Sequence, residues 1–348
     1  MTNSRILAGA LSVALGAAGW LSADDAPIAR RYAANLDNPS GVAVQPGTGD
    51  VFVAEHRGVI RFFNQAAEAD GKPTRGRAVE INKYPTDIYG KGPMYDIGPL
   101  GLAFQDASHL IVGDGSRVDG EELVRIYEVN SAAAEKPAAE DSAKTTLGPI
   151  TAGDASAKGE GNFYGIAVTK DAIYVTCNGD DTKGWISRAE IKDGKVGELK
   201  PFIATKEKLG VDAPVGITIG PDGGLVVSQM GEMNVPGDSL LTFYDAKSGE
   251  LKAKYETGLH DIAGVAFSPA TGKLYGVDFA WSDTKQGGLF ELTIKGDKCT
   301  TRKVVELDKP TAIAFDDKGN AFISLFGTAE EGAKVKPGQL VRVPKTKL

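Results

Sequence analysis

The feature that most constrains this chain is one phrase of residues that recurs six times along it. In each copy a short apolar run contains a small residue, a turn rich in Gly, Pro and Asp follows, and a second apolar run comes next. The first copy comprises Asn38–Val44 and Asp50–Glu55, and the later copies begin at Gly98, Asn162, Ala213, Asp261 and Lys309. Spacings of 48 to 64 residues between copies indicate that each copy is one structural unit of a repeat architecture.

The pattern within each unit predicts four short β-strands. A third strand such as Leu240–Tyr244 and a more polar outer strand such as Lys200–Ala204 follow the two apolar runs. Four strands per unit, repeated around an axis, are typical of a propeller. We therefore predict an all-β fold, a six-bladed β-propeller with four antiparallel strands per blade. A β-sandwich is the alternative, and six copies of one phrase disfavour it. The small residue of each first strand lies where all units crowd around the axis, and in chain order it is Gly41, Gly101, Gly165, Gly216, Gly264 and Ala312.

The two ends of the repeat predict how the ring closes. The sixth unit stops at Leu348 after three strands, and Ile28–Ala33 before the first unit has the composition of a strand. We expect this N-terminal strand to complete the last blade, because no long sheet edge then stays open. Residues 131–161, rich in Ala, Lys, Glu and Ser, are predicted to form a solvated insertion at an outer edge.

Residues 1–23 have the features of a secretory signal peptide. Arg5 precedes an apolar run from Ile6 to Leu21, and Ser22 and Ala23 provide small residues for cleavage. An uncleaved anchor is the alternative, but the run is shorter than the ~20 residues that a membrane span prefers. We expect residues 24–348 to form a single propeller domain that is periplasmic or secreted, without a membrane span.

Charge and cysteine content narrow the class of partner. The chain has 46 Asp and Glu against 39 Lys and Arg, a formal net charge of −7 that is spread along the sequence. Such a chain lacks the basic surface that nucleic acid requires, so we exclude a nucleic-acid partner and expect a monomer. Cys177 and Cys299 fall in different predicted blades, beyond the ~7 Å Cα separation that a disulfide allows, so we predict two free thiols.

Polar residues at the ends of the predicted second strands mark the face on which we expect a site. Because first strands begin and second strands end on the same face, this face collects Glu55, Asp114, Asn178, Gln229 and Asp278. All but Gln229 are predicted metal ligands, since Ca²⁺ or another divalent cation prefers carboxylate and amide oxygens. The alternative is that each polar side chain caps the turn that follows it.

The neighbouring loops supply the other candidate site residues. Tyr95, Gln229 and His260 are predicted to bind a ligand. Asp96 and Asp261 are the candidate catalytic carboxylates, either of which would activate water beside a metal.

Aromatic residues also lie near this face. The loop at 84–96 contains three tyrosines and is predicted either to act as a lid or to pack on its own blade. Trp185 and Trp281 fall near third strands or loops, and we predict that both are structural.

The first copy resembles an NHL repeat in Asn38–Val44, Val51–Glu55 and Val59–Phe63. The six copies cover nearly all of the predicted mature chain, so the chain resembles six-bladed propellers of the NHL and SMP-30 types. Proteins of this architecture include gluconolactonase-like lactonases and pure binding scaffolds.

The resemblance to the lactonases implies a divalent metal held by a Glu at the start of the first inner strand, with Asn and Asp from other blades. This chain has Asp37, Asn38 and Pro39 at that start, so Glu55 would replace the Glu. Asn178 and Asp278 would be the other ligands.

Three functions follow from these patterns. The leading prediction is an exported propeller that binds a small polar ligand or a protein partner on its loop-rich central face, with a structural Ca²⁺. The alternative is a metal-dependent lactonase. The third is a quinoprotein sugar dehydrogenase, which the chain resembles in Val53–Gly58 and Gly98–Ala103.

Overall fold

The chain folds into six small sheets arranged around an axis, a six-bladed β-propeller with four antiparallel strands per blade. This computed structural model describes residues 27–64, 76–90, 94–132, 134–179, 183–329, 332 and 334–348. The predicted signal peptide, residues 1–23, lies outside the described residues. The predicted fold class is confirmed.

Blades 1 to 3 use strands at the predicted copies of the repeat. Blade 1 comprises Gly41–Val44, Val51–Glu55, Gly58–Phe62 and Arg77–Asn82. Blade 2 comprises Pro99–Asp106, His109–Asp114, Val124–Glu128 and Thr145–Leu147. Blade 3 comprises Ile166–Val168, Ala172–Thr176, Trp185–Lys192 and Lys200–Ala204, with the short strand Lys195–Val196 beside the third.

Blades 4 to 6 are more regular. Blade 4 comprises Pro214–Ile219, Leu225–Gln229, Leu240–Tyr244 and Leu251–Glu256. Blade 5 comprises Ile262–Phe267, Leu274–Asp278, Gly288–Lys295 and Lys298–Glu306. Blade 6 comprises Pro310–Phe315, Ala321–Leu325, Gly338–Val343 and the N-terminal strand Arg30–Leu36.

The N-terminal strand closes the ring as predicted. It begins two residues and ends three residues further along the chain than the predicted segment Ile28–Ala33. Arg30–Leu36 pairs antiparallel with Gly338–Val343, from Arg30 opposite Arg342 to Leu36 opposite Gly338. Leu36 is fully buried between blades 6 and 1. The first and last strands of the described chain therefore share one sheet, and blade 6 has its fourth strand.

Helices are short and few in the part of the chain that the structure describes. The α-helix is Thr205–Leu209, and the 3₁₀ turns are Glu140–Ser142, Thr284–Gln286 and Lys345–Lys347. None of these helices is long and apolar enough to cross a membrane.

The small residues of the first strands are required by the packing of neighbouring blades. A Cβ atom on Gly41 would lie 2.1 Å from the Leu100 carbonyl oxygen of blade 2. A Cβ atom on Gly101 would lie 2.0 Å from the Tyr164 carbonyl oxygen of blade 3. Real Cβ atoms do not approach backbone so closely, so glycine lets the inner strands converge on the axis.

The hydrophobic core is divided among the gaps between blades. Val226 and Leu241 of blade 4, for example, pack against Ile262 and Leu274 of blade 5. The other gaps hold equivalent clusters, because alternate side chains on a strand point to opposite faces of its blade and both faces meet a neighbour.

The prediction for residues 131–161 was wrong in part. Thr145–Leu147 is the outer strand of blade 2, and Ala138–Ala139 pairs in parallel with Arg77–Asn82 of blade 1. The buried Arg61 side chain donates hydrogen bonds to the carbonyl oxygens of Asn130 and Ser131, at 2.8 and 2.7 Å. The start of this segment is therefore tied to blade 1.

Candidate functional site

A pocket opens at the face where first strands begin and second strands end. The space within it, counted together with the part that is open to solvent, is about 610 Å³. Most of its lining is apolar or aromatic, with two asparagine side chains and a threonine as the main polar groups. The lining residues are Tyr89, Ile97, Leu100, Asn162, Tyr164, Asn178, Val215, Met230, Ala263, Phe279, Trp281, Thr311 and Phe326.

In blades 4, 5 and 6 the residue that follows the second strand, and not the last residue of the strand, lines this pocket. Met230, Phe279 and Phe326 each follow directly on a second strand, and all three are lining residues. The last strand residues Gln229 and Asp278 are buried outside the lining. Successive side chains in an extended chain point to opposite sides, which explains the shift by one residue.

The repeat alignment predicted from sequence was off by one residue in blade 3. Its second strand ends at Thr176, and Ile166 pairs with Val175 as Ile217 pairs with Val227 in blade 4. Cys177 is therefore the counterpart of Gln229, and Asn178 is the counterpart of Met230. Asn178 is the one predicted metal ligand that lies in the pocket lining.

Aromatic side chains from distant parts of the chain build the wall of the pocket. Trp281 stacks on Phe279 with ring centres 5.0 Å apart and meets the edge of Tyr95 at 5.6 Å. Tyr95 also contacts Phe326 at 4.9 Å, and Tyr89 contacts Trp281 at 6.0 Å. These contacts join the 84–96 segment to blades 5 and 6 across the mouth of the propeller.

The three tyrosines of residues 84–96 fill both roles predicted for this loop, since two cover the mouth of the propeller and one packs beside its own blade. Asp87–Tyr89 and Tyr95–Ile97 form an antiparallel hairpin, and both of its tyrosines reach blades 5 and 6. Tyr84 instead packs between blades 1 and 2, where its hydroxyl lies 2.9 Å from that of Tyr127. The hairpin therefore covers the mouth, while its base stays on its own blade.

Polar contacts hold the base of the hairpin. The buried His56 ring lies 2.7 Å from Thr86 Oγ1 through Nε2 and 3.3 Å from Asp37 Oδ2 through Nδ1. Lys336 Nζ lies 2.9 Å from Asp37 Oδ1. Asn38 donates a hydrogen bond to the Asp96 carbonyl oxygen at 2.9 Å.

Two buried aspartates hold the loop that carries Trp281. Asp261 accepts a hydrogen bond from the Trp281 amide at 2.5 Å. Asp278 accepts from the amides of His260, Asp261 and Ala280, at 3.0, 2.7 and 3.2 Å. Burial raises the pKa of Asp261 to about 7; the Trp281 amide opposes this shift and the Asp278 charge adds to it. Both aspartates therefore position the pocket wall through the backbone.

Asp114 and Glu55 lie outside the pocket lining as well. Asp114 is fully buried and paired with Arg117 and Arg125, at 2.5 and 3.0 Å. Glu55 Oε1 accepts a hydrogen bond from the Asp37 amide at 3.4 Å. Burial raises the pKa of Glu55 to about 7, against the lowering effect of that amide.

Of the other predicted site residues, Gln229, His260 and Asp96 do not line the pocket, whereas Tyr95 contacts its wall. Gln229 Nε2 donates to the Val211 carbonyl oxygen at 3.4 Å. His260 is half-buried, and its carbonyl oxygen accepts from Ser239 Oγ at 2.7 Å. The Asp96 side chain is exposed, on the outer side of the hairpin. Tyr95 is the predicted ligand-binding residue that contacts the pocket wall.

The structure does not bring the predicted metal ligands together. Among the described residues, no three His, Cys, Asp or Glu side chains are grouped so that they could hold a metal ion. Cys177 and Cys299 are both free thiols. A bound Ca²⁺ stays a prediction from sequence.

Sequence reasoning missed most of the aromatic wall. Tyr89 belongs to the loop for which a lid is one of the two predictions, but Trp281 is predicted to be structural, and Tyr164, Phe279 and Phe326 are not among the candidate site residues. The sequence does contain one feature that points to this wall: an aromatic residue directly follows the second strand in blades 5 and 6.

No protein-family model matches the sequence, and no curated protein matches it. Solved structures do share the fold. A putative oxidoreductase (glucose dehydrogenase) from Thermus thermophilus is 16% identical with a TM-score of 0.58, over 90% of this chain and 98% of that one. The soluble aldose sugar dehydrogenase of Escherichia coli is 14% identical with a TM-score of 0.57, over 90% and 98%. A luciferin-regenerating enzyme is 11% identical with a TM-score of 0.54, over 92% and 95%.

These similarities support the propeller fold across nearly the whole chain. At such identities they support the fold alone, and membership of the NHL or SMP-30 type stays a prediction. A shared fold does not determine function, which depends on the residues of the site.

Proposed function

We propose that this protein is a ligand-binding propeller whose aromatic pocket holds an uncharged small molecule of the sugar type. The observation that carries the proposal is the pocket lining, in which five aromatic side chains accompany two asparagines. A sugar ring has an apolar carbon–hydrogen face that packs on Trp281, and hydroxyl groups that hydrogen-bond to side-chain amides such as Asn162 and Asn178. Ligand pockets of proteins are in general mostly apolar, with a few polar groups that fix the orientation of the ligand.

The absence of charge in the lining selects against charged ligands. None of the residues that line the pocket in the described chain is Asp, Glu, Lys, Arg or His. A charged group buried there would lose its hydration without gaining an ionic partner, which is costly. The names of two similar structures, glucose dehydrogenase and aldose sugar dehydrogenase, support the choice of sugars as first probes.

The pocket fits the binding of a sugar better than its oxidation. A quinone cofactor of the quinoprotein type is anionic and would need cationic side chains to hold it. The described lining contains none, and Lys309 Nζ instead lies 5.7 Å above the outer aromatic ring of Tyr95. The described lining therefore does not fit such a cofactor.

The proposal is tested by titrating the protein with methyl-β-D-glucoside and following tryptophan fluorescence. In a Trp185→Phe variant the pocket residue Trp281 remains as reporter, and we expect a saturable change. In a Trp281→Phe variant, which keeps Trp185 outside the pocket, we expect no change. Gluconate serves as the charged probe, and we expect no binding.

Either of two results would overturn the proposal. One is the lack of any saturable signal or heat of binding with the glucoside and with other neutral monosaccharides. The other is binding of gluconate as tight as that of the glucoside, because it would contradict an uncharged pocket.

A further inference from the structure

Three side chains from separate segments meet beside blade 1, next to the hairpin over the mouth. His56 follows the second strand of blade 1, Asp37 follows the N-terminal strand, and Thr86 precedes the first strand of the hairpin. Thr86 Oγ1 lies 2.7 Å from His56 Nε2, and Asp37 Oδ2 lies 3.3 Å from His56 Nδ1. The two ring nitrogens of one histidine therefore contact a hydroxyl on one side and a carboxylate on the other.

The three groups differ in their access to solvent. The His56 side chain is 5% exposed, so its ring is held away from bulk water. Thr86 is exposed at the surface. Asp37 is half-buried, and Lys336 Nζ lies 2.9 Å from Asp37 Oδ1, the oxygen that does not face the imidazole. The imidazole is thus enclosed, while the threonine beside it can be reached from outside.

This arrangement fixes the direction of proton transfer. A proton on His56 Nδ1 is shared with the Asp37 carboxylate, which leaves Nε2 as the acceptor for the Thr86 hydroxyl. A hydroxyl within hydrogen-bond reach of a base, with the base oriented by a third group, is the arrangement of an activated nucleophile. Such a trio is recognised by its geometry and not by the order of its members along the chain.

A second trio in this protein shows what the geometry adds. At the turn between the first two strands of blade 2, His109 Nδ1 lies 2.8 Å from Asp106 Oδ2 and 3.3 Å from Ser108 Oγ. One ring nitrogen meets both partners, so it cannot hold the proton that Asp106 accepts and also accept the proton of Ser108. The Ser108 hydroxyl instead donates to Asp106 Oδ1 at 2.9 Å. This trio has the same chemical groups without the relay.

We propose that Thr86 is the nucleophile of a second site, which hydrolyses small carboxylic esters, with His56 as the general base and Asp37 as the residue that positions it. Thr86 Oγ1 attacks the ester carbonyl carbon, and its proton passes to His56 Nε2. The bond from that carbon to the alcohol oxygen breaks, the alcohol leaves with the proton from Nε2, and the acyl group stays on Thr86. Water then attacks the acyl carbon and gives a proton to Nε2. The carboxylic acid is released as Thr86 Oγ1 takes that proton back.

The test follows the hydrolysis of p-nitrophenyl acetate by the full chain. Thr86→Val keeps the shape of the side chain without its hydroxyl, and we expect it to lower kcat/KM by about a hundredfold, the low end of what a positioned general base contributes. Thr86→Ser keeps a hydroxyl and is expected to keep the activity. Ser108→Ala is the matched control and should leave kcat/KM unchanged, because the histidine beside Ser108 forms no relay.

Asp37→Asn tests the positioning role. We expect this variant to lower kcat while KM and the melting temperature change little, because an amide no longer favours the proton on Nδ1 of His56. A lower melting temperature with an unchanged kcat would show that Asp37 supports the fold and does not position the base.

Mass spectrometry of acid-quenched protein locates the acyl group. We expect one acetyl group on the peptide that contains Thr86, and none on that peptide in Thr86→Val. Three results would overturn the inference: hydrolysis by the wild type no faster than in buffer, full activity of Thr86→Val, or acetyl groups on lysines alone. Because methyl-β-D-glucoside carries no ester, this activity and the proposed sugar binding succeed or fail separately.

Discussion

At the residue scale, the carboxylates near the pocket act on the backbone that presents its aromatic wall. Asp278 ends the second strand of blade 5, where its two oxygens accept three backbone amides. One of these amides belongs to Asp261, whose own carboxylate accepts the Trp281 amide. The two side chains thus connect the start of the first strand to the loop after the second.

We expect Asp278→Ala to lower the free energy of unfolding by about 1–3 kcal/mol, because buried amides lose their acceptor. Urea unfolding at neutral pH measures this loss. Asp297→Ala is the control, since Asp297 is exposed in the turn between two strands of the same blade and should change stability by less than ~0.5 kcal/mol. Equal effects of the two substitutions would contradict the assigned role.

At the scale of elements, the hairpin over the mouth depends on contacts outside itself. An isolated two-stranded hairpin is at best marginally stable in water. Each of its strands, Asp87–Tyr89 and Tyr95–Ile97, has only three residues. Its aromatic contacts with Trp281 and Phe326 therefore supply much of what keeps it on the pocket.

Trp281→Ala should accordingly loosen the hairpin without unfolding the blades. We expect hydrogen exchange of the amides in 87–89 and 95–97 to become faster by at least tenfold, while the second strands of blades 4 and 5 keep their protection. Trp185→Ala, at the start of a third strand in blade 3, is the matched control and should leave hairpin exchange unchanged. Unchanged exchange in Trp281→Ala would mean that the polar base alone holds the hairpin.

The blades could be predicted from sequence because every unit repeats the same local constraints. A glycine such as Gly101 is required where first strands converge, and apolar residues such as Leu110 and Val112 fill the gaps between blades. The pocket could not be predicted in the same way. Its wall joins residues that occur once, such as Tyr95 and Trp281, and their meeting depends on the closed ring.

At the scale of the whole molecule, three buried carboxyl groups make stability depend on pH. Burial raises the pKa of Glu55 and Asp261 to about 7 and that of Glu122 to about 9. In the unfolded chain such groups lose their protons near pH 4. Between these values the folded protein binds more protons than the unfolded chain, so stability falls as the pH rises. The contribution of these groups is complete below about pH 4 and is lost as the pH passes through 7 and then 9.

We therefore expect a smaller free energy of unfolding at pH 9 than at pH 5.5, measured by urea unfolding at constant ionic strength. Glu122→Gln should reduce this difference, because the amide imitates the protonated acid at both pH values. Glu128→Gln is the control: Glu128 is exposed, and its pKa is lowered by Lys144, so it stays ionised across the whole interval. Stability that is equal or greater at pH 9 would contradict the prediction, because a buried carboxyl that remained ionised in the fold would not oppose a rise in pH.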